Sequence, residues 1–253
     1  MAQNRKMNSP IQLLQPWSTF VMKTELSPEV LEKMLRISDE IVENKESESQ
    51  NLDAGQIKDQ FYIDLKILEQ EEILEFFTEM CRNFVIQAYC QSQPFNTKNI
   101  LKEKWLTRLT EIWINSQKDN EYFPIHHHSY SISAVMYLKI PEYLPSRHSR
   151  NYGAFPIRPM VYEDDGGISF SSNCSRNTMW AIPTMAIQPQ VGDFFIFPAT
   201  QEHQVYPFRT PNGKGERRSG SFNAKFTNKT IQEEMHNKLQ QNEISRTEGI
   251  ENE

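Results

Sequence analysis

At 253 residues, with 38% hydrophobic and 11% aromatic side chains, the chain has enough apolar material for one large core or two small ones. A formal charge of −6 argues against a nucleic-acid surface, which would show clustered excess lysine and arginine. No apolar run reaches the roughly eighteen residues of a membrane span, and the N-terminal MAQNRKMNSPIQLLQ lacks the apolar stretch of a signal peptide, so no membrane partner and a cytoplasmic location are expected. Cys81, Cys90 and Cys174 are odd in number and form no CxxC pair, which reads as reduced, buried thiols.

The first third of the chain is expected to be helical. Ser27 and Pro28 make an N-cap and first-turn pair, followed by Val30, Leu31, Met34, Leu35, Ile37, Ile41 and Val42 at helical spacing, up to the polar NKESESQN. A second helix is predicted from about Gln70 to Tyr89, with a broad stripe of Ile73, Leu74, Phe76, Phe77, Met80, Cys81, Phe84, Val85 and Ala88 for the core.

From Trp105 the period changes to two. LTEIWINS, SISAVMYLKI, GGISFSS, TMAIQPQ, GDFFIFPA, HQVYPF and SGSFNAKF are short β-rich segments punctuated by Pro, Gly and Asn, the pattern of an antiparallel sandwich or barrel. Between them, residues 141–166 form a long segment whose prolines and aromatics suit a lid or binding loop. Its Arg147, Arg150, Arg158, Tyr143, Tyr152 and Tyr162 would suit an anionic or aromatic group. Beyond Asn228 the chain is polar, and a short helix fraying into disorder is expected.

Chemistry concentrates in the histidines. FPIHHHSYS places three in a row, read as the opening of a strand. In an extended chain His126 and His128 share one face while His127 points to the other. His203 follows GDFFIFPATQEH, where Gly192 and Asp193 turn, Phe194 to Phe197 form a buried strand and Pro198 breaks it. Three imidazoles converging from two stretches suit non-haem iron(II), as they also suit zinc. His148 and His236 lie in a polar loop and a polar tail, and are read as surface residues. In ERRSGSFNAKF a strand would project Arg217, Ser219 and Ser221 to one face, a cationic fork and hydroxyls fitted to a dicarboxylate end group. The plainer reading makes Arg217 and Arg218 a solvated pair after the turn PNGKGE.

The ordered set of Trp113 with Asn115, the HxH of His126 to His128, SAVMYL, GGISF, GDFFIFP, His203 and the RxSxSFN beginning at Arg217 resembles the iron(II)- and 2-oxoglutarate-dependent oxygenases. The resemblance is to a branch with HxH at the first ligand pair and spans roughly residues 105–227. It implies a mainly β fold with N-terminal helices (α+β), whose core is a double-stranded β-helix, the cupin-like jelly roll. By domain, 1–104 would be a helical support, 105–228 the catalytic core and 229–253 a polar tail. It further implies His126, His128 and His203 as metal ligands, Arg217, Ser219 and Tyr137 as cosubstrate contacts, and Fe(II), 2-oxoglutarate and O2 as cofactor and cosubstrates. The reaction implied is a hydroxylation coupled to decarboxylation of 2-oxoglutarate to succinate, on an unidentified small-molecule or protein substrate. Many of these enzymes carry a carboxylate where this chain has His128; Asp164, Asp165 or Glu202 are the alternatives to a third histidine. Rival readings are a cupin-like metalloprotein, such as an isomerase or other dioxygenase, and a non-catalytic jelly-roll binding module. The N-terminal helices offer a surface on which a homodimer could form.

Overall fold

The computed structural model describes residues 12–14, 19–44, 56–92, 98, 102, 104–141, 166–171 and 184–228. Eleven strands and three helices follow in the order β1 (Gln12–Leu14), β2 (Val21–Glu25), α1 (Pro28–Asn44), β3 (Gln60–Tyr62), α2 (Leu65–Gln70), α3 (Leu74–Ser92), β4 (Leu106–Lys118), β5 (Phe123–His126), β6 (Ile132–Lys139), β7 (Ile168–Ser171), β8 (Thr184–Ile187), β9 (Asp193–Pro198), β10 (His203–Val205) and β11 (Glu216–Thr227). The loop of residues 142–165, with its arginines, its tyrosines, Asp164 and Asp165, lies outside the described residues, as do Cys174, His148 and the tail with His236.

The strands form two antiparallel sheets, a large one in the order β1-β2-β9-β6-β11-β4-β3 and a small one in the order β5-β10-β7-β8. Consecutive strands such as β9 and β10, or β5 and β6, fall in different sheets, the alternation of a double-stranded β-helix. The helices cover the outer face of the large sheet. On β6, Ile132, Ala134, Met136 and Leu138 belong to the helix-facing core while Val135 and Tyr137 belong to the layer between the sheets; on β9, Phe194 and Ile196 divide from Phe195 and Phe197 in the same way. A strand buried on both faces reads as an unbroken apolar run, which is why SAVMYL and DFFIF show little alternation.

α1 begins where Ser27 accepts a hydrogen bond from the Val30 amide at 3.3 Å, the expected cap. The predicted second helix is α3, and the short α2 just ahead of it was not anticipated. Asp64 caps α2 by accepting from the Lys66 amide, and α2 ends as Glu72 turns to a left-handed φ of +59°, with the Glu72 and Ile73 amides bonding back to the carbonyls of Glu69 and Leu68. α3 then runs to Ser92 and seats Phe77 against Phe194 and Phe222, with ring centroids 5.9 and 5.4 Å apart. The N-terminal third also supplies strands: β2 pairs with β9, and β3 pairs with β4, so residues before Trp105 complete both flanks of the large sheet. Among the described residues no helix is long and apolar enough to cross a membrane.

Candidate metal centre

β5 and β10 are antiparallel neighbours in the small sheet, with His126 directly opposite His203. Opposed residues present their side chains on one face, so the two imidazoles meet, with ring centroids 4.2 Å apart. The histidine run closes β5 rather than opening the next strand, because His127 and His128 already lie in the connection to β6. There the His128 amide donates to the Ala199 carbonyl at 2.8 Å, which pins the turn and brings its ring to 5.1 Å from that of His126 and 5.4 Å from that of His203. The ligand atoms of His126, His128 and His203 all lie within 4.8 Å of one another. His127 faces solvent, and Glu202 does not join the cluster.

The donor set fits a metal ion. Nδ1 of His126 lies 2.7 Å from the Pro124 carbonyl, and Nδ1 of His203 lies 2.9 Å from the Gln201 carbonyl. A carbonyl only accepts, so each Nδ1 carries the proton and each Nε2 is left with a lone pair to donate. Burial lowers the pKa of all three: His126 below its usual value, His128 down to about 4, with the charges of His126 and His127 adding to the effect, and His203 well below the ordinary range. Near neutral pH the imidazoles are uncharged, the form that binds metal.

Gln201 lies behind His203. It is buried, and its side-chain amide donates to the carbonyls of Ser171 and Glu202 at 2.7 and 2.8 Å while its Oε1 accepts from Thr19 at 2.6 Å. The residue whose main-chain carbonyl orients the imidazole is thereby held at three points.

The histidines line a pocket that also receives Tyr137, Arg217, Ser219 and Ser221, so the predicted face of β11 does point inward. Arg217 and Arg218 are not a solvated pair: both are buried, in opposite directions. Arg218 turns toward the helices and is neutralised by Glu216, at 2.6 Å, and by Asp39. Arg217 has no carboxylate partner among the described residues. It donates one hydrogen bond to the Gly166 carbonyl and lies 5.5 Å from the centroid of the Tyr137 ring, while its Nε and the Tyr137 hydroxyl have no hydrogen-bond partner among the described residues. Burial lowers the Arg217 pKa and raises that of Tyr137 to about 12. Gly166 holds a φ of +72°, which a side chain would strain, and so aims its carbonyl at the guanidinium.

Trp113 lines the pocket, with its ring 6.0 Å from that of His128. Asn115 is a pocket residue as well, bonded to Gln60 at 2.9 Å and Ser221 at 3.3 Å. Ile57 and Gln60 complete this side without having been anticipated. The only signal for them was the three-residue strand QFY, too short to show a period.

The fold is a double-stranded β-helix whose small sheet gathers three imidazoles, a candidate metal site, in one pocket with a buried arginine. Residues 111–223 match the family model described as "Putative 2OG-Fe(II) oxygenase". The matched segment, a little under half of the chain, is similar to the 2-oxoglutarate/iron(II) oxygenases, a superfamily whose members use Fe(II), 2-oxoglutarate and O2. No curated protein matches it. Among solved structures it is similar to an oxidoreductase of the 2OG-Fe(II) oxygenase family from Burkholderia pseudomallei, at 14% identity over 80% of this chain and 84% of that one with a TM-score of 0.46. A Pseudomonas putida prolyl-4-hydroxylase matches at 14% over 80% and 91%, with a TM-score of 0.44. The non-heme alpha ketoglutarate dependent epimerase SnoN from nogalamycin biosynthesis matches at 12% over 81% and 76%, with a TM-score of 0.49. At these scores the likenesses carry no weight of their own.

Proposed function

We propose that the protein is a hydroxylating dioxygenase that holds iron(II) on His126, His128 and His203 and takes the distal carboxylate of 2-oxoglutarate on Arg217, with Ser219 and Tyr137 beside it. The observation that carries this reading is the state of Arg217. A buried guanidinium without a carboxylate is costly unless an anion arrives, and the nearest open space is the pocket it shares with the three imidazoles. A 2-oxo acid has the matching shape, with a carboxylate at one end for the arginine and an oxo acid at the other for the metal.

When bound, iron with 2-oxoglutarate and O2 supplies the oxidising chemistry, in which decarboxylation to succinate is coupled to oxidation of the substrate. The chain's own residues bind and orient. Nδ1–H of His126 and of His203 stay on their backbone acceptors, fixing the ring planes. The Tyr137 hydroxyl and the Arg217 Nε–H, unpartnered now, would donate to the incoming carboxylate. Phe195, Phe197 and Ile168 wall the surroundings against water.

The reading is tested by anaerobic titration of the apoprotein with iron(II) and then 2-oxoglutarate, following the visible absorption of a chelated 2-oxo acid. The band is expected in the wild type and is expected to need at least tenfold more 2-oxoglutarate in Arg217→Ala. Iron binding without a band would favour a cupin-like metalloprotein, and no metal uptake would leave a binding module.

A further inference from the structure

The inward face of the large sheet runs on past the small sheet's edge. On β4, Glu111 lies two residues beyond Trp113 on the same face, about 7 Å along the strand. Its carboxylate accepts from the Asn223 amide at 2.7 Å, and Asn223 in turn accepts from the Ser133 hydroxyl at 2.6 Å, so the acid is held in place by neutral donors. Among the described residues it has no salt-bridge partner. Three aromatic rings surround it. Tyr62 on β3 meets Trp113 edge-on, with centroids 6.5 Å apart, and is 38% exposed, so its ring is open to a ligand. Tyr130, in the turn after the histidines, lies within electrostatic reach of the Glu111 carboxylate. Lys225 places its ammonium 5.9 Å from the Tyr130 centroid.

We propose that Glu111, ringed by Tyr62, Trp113 and Tyr130, is the substrate-docking site, and that it receives a cationic nitrogen group, an ammonium or guanidinium. This rests on the oxygenase reading for the role of the neighbouring metal. A fixed carboxylate supplies the charge, the ring faces supply cation–π attraction, and together they reject a neutral isostere. Trp113 links the two sites, since it touches Tyr62 on one side and the His128 ring on the other. A substrate anchored at Glu111 by its cation therefore lays the carbons about one or two strand residues away beside the metal centre.

The test uses the whole chain loaded anaerobically with iron(II) and 2-oxoglutarate, so that binding is read without turnover. Calorimetric titrations compare agmatine and cadaverine, as free amines, with Nα-acetyl-arginine methylamide and Nα-acetyl-lysine methylamide, as peptide-borne cations. The neutral controls are the corresponding citrulline and norleucine methylamides. The cationic probes of the better-bound source are expected to bind at least tenfold tighter than the neutral ones, and Glu111→Gln is expected to close that gap while leaving the visible band of the loaded site unchanged. Tyr62→Leu, at an exposed position, is expected to weaken the cationic probes about three- to tenfold. Equal binding of the neutral isosteres, no binding of any probe, a preference that survives Glu111→Gln, or cationic binding unchanged in Tyr62→Leu would overturn the assignment. A visible band without cation preference sinks this inference alone; cation preference without a band supports it and sinks the cosubstrate reading instead.

Discussion

At the scale of single residues, the site depends on which nitrogen of each histidine is free, and that is set by two carbonyls. The Gln201 carbonyl is held because its own side chain is clamped between Ser171, Glu202 and Thr19. Gln201→Ala should therefore leave His203 in the chain but let its ring turn, weakening metal affinity by about 10- to 100-fold in a competition titration with a chelator. Unaltered affinity would show that the ring needs no such support. The same imidazoles give the apoprotein a pH dependence of defined sign. Their folded pKa values lie below the unfolded value of about 6.5, so the unfolded chain takes up protons first. Stability is complete above pH 6.5 and falls as the pH drops toward 4, by up to about 1.4 kcal/mol per pH unit for each histidine that stays neutral in the fold. Urea unfolding of the metal-free protein at stepped pH values checks this. His128→Asn should flatten the slope in that window, and an unchanged slope would show that His128 does not stay neutral in the fold.

At the scale of elements, β11 serves two masters by strict alternation. Arg217, Ser219 and Ser221 face the pocket; Arg218, Gly220 and Phe222 face the helices. Phe222 is fully buried between Phe77 of α3 and Phe194 of β9, and Phe222→Ala should cost about 3–5 kcal/mol in denaturant unfolding. A loss under about 1 kcal/mol would mean that the helices are not seated on this strand as described. This period of two made β11, β4 and the pocket face legible in the sequence, and the HxH spacing made the histidine pair legible for the same reason. The break between α2 and α3 was not legible, because the left-handed stop is at Glu72, where a glycine would have announced it. β1, β2 and β3 were missed because three to five residues cannot establish a period; β2 and β3 are held by pairing with β9 and β4, which are distant in sequence, and β1 by pairing with β2. Glu111 was invisible for a different reason. A single acid in a strand looks like any solvated charge until the fold brings Tyr62 and Tyr130 to it from separate segments.

At the scale of the whole molecule, two sheets close on a space that holds a cation with no carboxylate partner among the described residues, and such a space favours function over stability of the empty protein. Arg217 costs the apoprotein its desolvation, offset among the described residues by the Gly166 carbonyl and the Tyr137 ring. Replacing it with methionine, of similar reach and no charge, should leave the metal-free protein as stable as the wild type or more so. Cosubstrate should do the reverse. At one hundred times its Kd in the presence of iron under anaerobic conditions, 2-oxoglutarate should add about 2.7 kcal/mol, which for a chain of this size raises Tm by roughly 5–10 °C. In Arg217→Met that ligand-dependent rise should shrink to a small residue at the same concentration, while the rise caused by iron alone persists, because the three imidazoles do not involve the arginine. Thermal scans of both proteins, each with iron alone and with iron plus 2-oxoglutarate, separate the two contributions. If Arg217→Met kept the full 2-oxoglutarate shift, the buried guanidinium would have some other partner, and the pocket would be binding its acid by the metal end only.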